Sequence, residues 1–134
     1  RVAERTGSEI LGTHAVSEGR YCIAAGNLLS TTAVPGAMTD AFARNEMRHL
    51  AERLLLSLEA GVAAGGEEGP THSATLLVAA EQSWPLVDLR VDWADDPVAE
   101  LRGLWGRYEP QMIDYLNRAL NPSVAPAYGV PGDP

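Results

Sequence analysis

The sequence is poor in the residues that build several common functional surfaces. It holds one cysteine, Cys22, so no internal disulfide framework exists. A lone thiol fits a reducing compartment, and the cytoplasm is the expected location. Aromatic residues make up 6% of the 134 positions, with one phenylalanine, too few for a base-stacking platform. Basic residues are outnumbered, 10 against 18 acidic ones, for a formal charge of −8. Such a chain has no net positive field to displace counterions from nucleic-acid phosphates or to hold an anionic membrane surface. Neither nucleic acid nor membrane is therefore an expected partner. The longest unbroken apolar run, residues 76–80, falls far short of the roughly 20 residues of a membrane span. Spacings such as HExxH and CxxC are missing, so no metal site is expected, and the GxSxG nucleophile elbow is missing as well. No long-period repeat and no signal-peptide pattern is visible. The first residue is Arg1 and not Met, which fits a sequence that starts inside a longer polypeptide.

What is there is one domain's worth of patterned chain. Residues 13–17 read as a strand, Glu18-Gly19-Arg20 as a turn, and residues 21–25 as a second strand. Tyr21, Ile23 and Ala25 would share a face at period two. Thr31 or Thr32 then caps a helix to about Arg44, with Pro35 in its first turn. Leu50, Leu54 and Leu58, joined by Leu55, give a second helix its apolar stripe, which Gly61 or Gly65-Gly66 ends. An acidic loop, residues 67–71, leads to a strand at residues 72–80 that is apolar on both faces. Residues 86–91 form its antiparallel neighbour. Asp96-Pro97 opens another helix, with Leu101, Leu104, Trp105 and Tyr108 as its stripe. Ile113, Leu116 and Leu120 continue a helical pattern after Pro110. The proline-rich tail, residues 121–134, should lie extended over the surface. The resulting fold class is α+β: an antiparallel sheet covered by helices on one face. Its other face is also apolar and needs cover from elsewhere.

Chemistry-bearing residues are few. Of the three histidines, His49 sits beside Arg48 on a helix and reads as solvated. His72, Ser73 and Asp88 supply the residue types of a hydrolytic triad, but neighbours on a strand face opposite ways. Cys22 lies mid-strand and reads as core packing. Asp88, Arg90 and Asp92 alternate outward, as in an ion-pair ladder. Glu67-Glu68 reads as a solvated loop. Gly26-Asn27 ends a strand, and there Asn27 either caps its own turn or offers its amide N–H to an oxyanion.

An ordered set of stretches resembles one family. They are Gly26-Asn27-Leu28-Leu29, the leucine-rich run 50–61, residues 63–66, Ser73-Ala74-Thr75-Leu76-Leu77-Val78, Asp88-Leu89-Arg90-Val91-Asp92, and residues 96–101. In that order they look like the C-terminal half of the domain-of-unknown-function 1028 family, and the stretch Tyr128 to Asp133 is similar to some members. The family is itself similar to N-terminal-nucleophile hydrolases. The resemblance implies half of a four-layer αββα sandwich, with residues 1–108 as its C-terminal portion and residues 109–134 as an appended helix and tail. It implies that a second sheet covers the apolar face, supplied by a missing N-terminal half or a second subunit. A homo-oligomer is a further possible partner.

In such an enzyme the free α-amine and side chain of the first residue act as base and nucleophile. Arg1 offers neither, so the nucleophile is expected outside this chain. The reaction implied is hydrolysis of a small amide or ureido substrate by acyl transfer, with no cofactor. Asn27 becomes the oxyanion candidate and His14 a cleft candidate. Gly26, His72, Asp88 and Arg90 are candidates for substrate contact, with a structural ion pair as the alternative for the last two. Two stretches depart from the family. Glu67-Glu68-Gly69-Pro70-Thr71-His72 stands where Asp, a basic pair and Gln are usual, and Thr31-Thr32-Ala33 replaces Gly-Pro-Glu. The rival function is a non-catalytic interaction module that binds through its open sheet face. A third reading is a remnant that does not fold alone.

Overall fold

Alternating residues build the first hairpin in the computed structural model, which describes residues 3–127 and 129. Strands β1 (Ala15–Gly19) and β2 (Cys22–Gly26) pair antiparallel, and Gly19 opposite Cys22 is the last pair. The chain therefore reverses over Arg20 and Tyr21, later than the turn expected at 18–20. Tyr21 takes a left-handed φ of 64°, and the Arg20 guanidinium lies 4.9 Å from its ring centroid. Gly19 is kept in the strand for a different reason. A Cβ there would stand 2.8 Å from Cys22 Sγ and 3.3 Å from Thr39 Cβ. The later turn also settles the faces. Ala24 is buried between half-buried Cys22 and Gly26, whereas Ile23 and Ala25 point outward beside Val16.

Helix α1 (Val34–Arg44) covers this hairpin, and Ser17 Oγ and Thr39 Oγ1 lie 2.8 Å apart across the contact. Its cap position is Ala33 and not a threonine. Thr31 Oγ1 only accepts from the Ala33 N–H, at 3.3 Å. Helix α2 (Leu50–Ala63) has a real cap. His49 Nδ1 accepts from the Ala51 N–H at 3.2 Å, and its ring stacks on Trp105 at 5.5 Å. His49, exposed as its sequence suggested, thus also orders a helix start. The buried positions of α2 are Ala51, Leu55, Ser57 and Gly61. Leu54 and Leu58 are half-buried and pack against the core, and Leu50 is exposed.

Strands β3 (Ala74–Ala79) and β4 (Pro85–Val91) pair antiparallel, with Leu76 opposite Leu89 and Val78 opposite Val87. The buried row is Leu76, Val78 and Val87. The outer row holds Thr75, Leu77, Ala79, Asp88 and Arg90. A strand buried on both faces was expected, but only one face is covered, and the other mixes apolar side chains with an ion pair. Helix α3 (Pro97–Tyr108) starts as its sequence dictates, with Asp96 Oδ1 accepting from the Ala99 N–H at 3.0 Å. A 3₁₀ turn (Glu109–Gln111) leads into α4 (Met112–Leu120). Met112 packs into the core, while Ile113 and Leu120, expected on the inward stripe, are exposed. The chain ends its described path in a second 3₁₀ turn (Pro122–Val124) and the residues just after it. Tyr128 and residues 130–133 of the family-like tail lie outside the described residues.

The fold is mixed α+β, but the one expected sheet is two separate two-stranded sheets, β1–β2 and β3–β4. The main core lies between α2, α3, α4 and the second hairpin, around Leu55, Leu101 and Trp105. Two carboxylates tie α2 to α3. Glu52 Oε2 accepts from Arg102 Nη1 and from the buried Trp105 Nε1, both at 2.7 Å. Glu59 takes the other side of Arg102, with Nε and Nη2 at 2.7 and 2.9 Å. Removing Glu52 strands the indole N–H, whereas removing Glu59 breaks only a partly exposed ion pair. Glu52→Ala should therefore cost about 1–3 kcal/mol in urea unfolding. Glu59→Ala should cost about 0.2–1 kcal/mol. Equal costs would contradict the role given to Trp105.

Candidate functional site

The end of β2 opens into a cleft of about 300 Å³. His14, Gly26 and Asn27 line it together, with residues 4–7 and Ile10 also in its wall. Gly26 is glycine because a Cβ would stand 2.8 Å from Leu29 Cδ2. Its absence lets Leu29 fold back into the core, where it is buried. That reversal leaves Asn27 exposed at the strand end. Its side chain is not spent on capping its own turn. Nδ2 donates to the carbonyl of Leu11 at 3.4 Å, a long bond to a neutral acceptor. His14 is also exposed, with Nδ1 3.3 Å from the Gly12 carbonyl. When Nδ1 carries the proton and donates there, Nε2 is left as an acceptor.

A second loop holds this strand end in place. Leu28 has a left-handed φ of 53°, and its carbonyl accepts from the Glu68 N–H at 2.6 Å. The Ser30 N–H donates to Gly66 at 3.0 Å, the Leu29 N–H donates to Thr13 at 2.9 Å, and Leu29 bridges to Glu67. Gly65 and Gly66 both take positive φ, 118° and 59°, as the end of α2 turns into this contact. A Cβ on Gly65 would overlap Ser30 Oγ. Two of the family-like stretches, 26–29 and 63–66, thus lie against one another through their flanks. Reading the sequence missed this clasp and the contribution of residues 4–11. The adjacent glycines at 65 and 66 were its one visible sign.

The other candidates do not line the cleft. His72 stacks on Trp93 with ring centroids 4.1 Å apart, and its Nδ1 lies 3.1 Å from the Ala94 carbonyl. With the Ala94 N–H bonded to the His72 carbonyl at 2.9 Å, it pins the start of β3 to the loop after β4. Asp88 and Arg90 form a bidentate pair on the outer face, with Nε and Nη2 2.8 and 3.0 Å from the carboxylate oxygens. The hydrogen bond from Arg90 holds the Asp88 carboxyl below its ordinary range, and Asp88 raises Arg90 in turn. Among the described residues, no cluster of three His, Cys, Asp or Glu side chains could hold a metal ion. None of the described helices is long and apolar enough to cross a membrane.

These features define a class: a mixed α+β unit whose helices back two short hairpins and whose Gly-Asn strand end opens into a cleft. Residues 1–101 match the family of unknown function DUF1028, and the chain belongs to that family. It is similar to the crystal structure of protein SPO2555 from Silicibacter pomeroyi, a structure also assigned to DUF1028, with a TM-score of 0.71 and 33% sequence identity. The match covers 83% of this chain and 47% of that one, so the present chain spans about half the length of this solved relative. No curated protein matches.

The clasp makes a prediction. Gly65→Ala adds a Cβ at a left-handed φ and against Ser30, so it should cost about 1–3 kcal/mol in urea unfolding. It should also shift the Asn27 side-chain amide resonances. Gly7→Ala, where a Cβ meets nothing within 4 Å, should do neither. An unmoved Asn27 signal in Gly65→Ala would show that the loop does not position the strand end.

Proposed function

We propose that this chain is one half of an amide-cleaving hydrolase and that Asn27 stabilises the oxyanion of its tetrahedral intermediate. The carrying observation is the Asn27 amide. It is exposed at a cleft shared with His14 and Gly26, and among the described residues it is held only by a long bond to Leu11. A developing oxyanion is a stronger, charged acceptor than a peptide carbonyl and would displace that bond. The family resemblance supplies the class of reaction, and the substrate class is a small molecule with an amide or ureido bond.

The nucleophile belongs to the remainder of the enzyme, as an N-terminal Thr, Ser or Cys. Its hydroxyl or thiol oxygen or sulfur adds to the substrate carbonyl carbon, and its proton passes to the free α-amine. The carbonyl π pair moves onto oxygen, where Asn27 Nδ2 donates to it. Collapse breaks the C–N bond, and the leaving nitrogen takes the proton from the α-ammonium. The ester or thioester left behind is then attacked by water along the same route, which releases the acid and restores the nucleophile.

The test combines this chain with the remaining half of SPO2555 and follows ammonia release from primary amides and N-carbamoyl amino acids. Turnover is expected, and Asn27→Ala should lower kcat by roughly 10²–10³ with little change in KM. Unchanged turnover in that variant would remove the role of Asn27, and no ammonia from any of these substrates would remove the amidohydrolase reading. The outward Val16, Ile23 and Leu77 favour the rival reading, a non-catalytic module. That reading requires a stable complex without hydrolysis.

A further inference from the structure

The wall of the Asn27 cleft contains two charged side chains, Glu4 and Arg5, that the oxyanion chemistry does not use. Glu4 has a local partner, since its Oε2 accepts from Thr6 Oγ1 at 3.3 Å. Arg5 has none. Among the described residues its guanidinium takes part in no ion pair and no hydrogen bond, although the chain holds 18 acidic residues. Arg90 and Arg102, by contrast, are each bound to carboxylates. Arg5 is also the one side chain of the described wall whose positive charge is permanent. A cation and the Asn27 amide donor therefore open into the same space. Its volume of about 300 Å³ lies at the low end for small-molecule pockets. Ile10, Ala15, Val16 and Ala25 add apolar wall to it.

We propose that Arg5 is the specificity-determining residue of this cleft and binds a carboxylate of the substrate, so that the amide or ureido bond cleaved belongs to a small carboxylic acid. This rests on the amide-hydrolysis reading of the cleft and narrows its substrate class. A guanidinium meets a carboxylate through two parallel N–H···O bonds, which orient the ligand as well as attract it. The substrate then has two anchors, its carboxylate on Arg5 and its carbonyl oxygen on Asn27 Nδ2. The apolar wall suits the aliphatic link between them. A dianionic phosphate suits the cleft less well, because a single guanidinium faces it and Glu4 adds a negative charge to the same wall. A neutral amide forgoes one of the two anchors.

The probes are N-carbamoylalanine and its methyl ester, which keeps the ureido group and removes the charge. Binding to the chain is read from the Arg5 Nε–H and Asn27 side-chain amide resonances. Turnover is read from ammonia release after the remaining half of SPO2555 is added. The acid should shift both resonances and bind at least about 10-fold more tightly than the ester, the scale of a charge-assisted hydrogen bond. Arg5→Ala should bring the acid down to the level of the ester and leave the ester unchanged. Arg5→Lys should recover part of the preference, because it keeps the charge and loses the fork. An arginine that merely held the wall in place would weaken acid and ester alike. Three outcomes overturn the proposal. They are equal binding of acid and ester, a preference for the acid that survives Arg5→Ala, and no binding of the acid. An Arg5-dependent preference in binding without any ammonia release would support the carboxylate site and overturn the hydrolase reading alone.

Discussion

Among the described residues no backbone hydrogen bond joins β2 to β3, so the helices and the contact of residues 28–30 with residues 66–68 set the distance between the two hairpins. That constraint organises the molecule. Helix α1 lies on the first hairpin, α2 packs on α1 and reaches β3, and α3 backs β3 and β4. The joints between these helices are polar and specific. Arg53 of α2 lays its guanidinium 3.7 Å from the centroid of the Phe42 ring and donates twice to the Phe42 carbonyl near the end of α1. A cation there also meets the negative end of that helix. Glu52 then binds α2 to α3 through both Arg102 and the buried Trp105. Each joint places charge where one partner is half-buried, so truncating one side leaves the other without its bond.

The cleft at the end of β2 follows from this frame. Gly26 lets Leu29 turn inward, and the Gly65-Gly66 turn at the end of α2 receives Ser30. Asn27 is held between these two close approaches with its amide at the surface. A donor placed by backbone contacts on both sides needs little reorganisation when charge develops nearby, which is the condition for useful oxyanion stabilisation. His72, Asp88 and Arg90 serve the second hairpin instead, one as a stacked pin and two as an exposed ion pair.

Much of the order of elements was legible because it rests on local rules. Asp96-Pro97 marked a helix start that the structure keeps, and the strand-strand-helix-helix alternation stands as read. The misreadings share one cause, contact between segments distant in sequence. Gly19 looked like a turn residue, but it is required by Thr39 and Cys22 packing against it. His49 is exposed as read, yet Trp105 and the start of α2 also use it. The leucines at 54 and 58 pack against the core as read, and they also line the cleft between the hairpins. In the candidate cleft, Gly26-Asn27 could be named from local pattern, and His14 only from the family resemblance. The Leu11 carbonyl and the Gly65-Gly66 clasp could not, because nothing in their own sequence marks what they touch.

Amide hydrogen exchange of the chain by itself tests the split sheet most directly. Along β2 and β3, amides that point to β1 and β4 should exchange at least about 10-fold more slowly than the alternate amides that point into the open cleft. That alternation is the result the account predicts. Uniform protection along both strands would mean that their edges are already paired, and the two-hairpin architecture would be wrong.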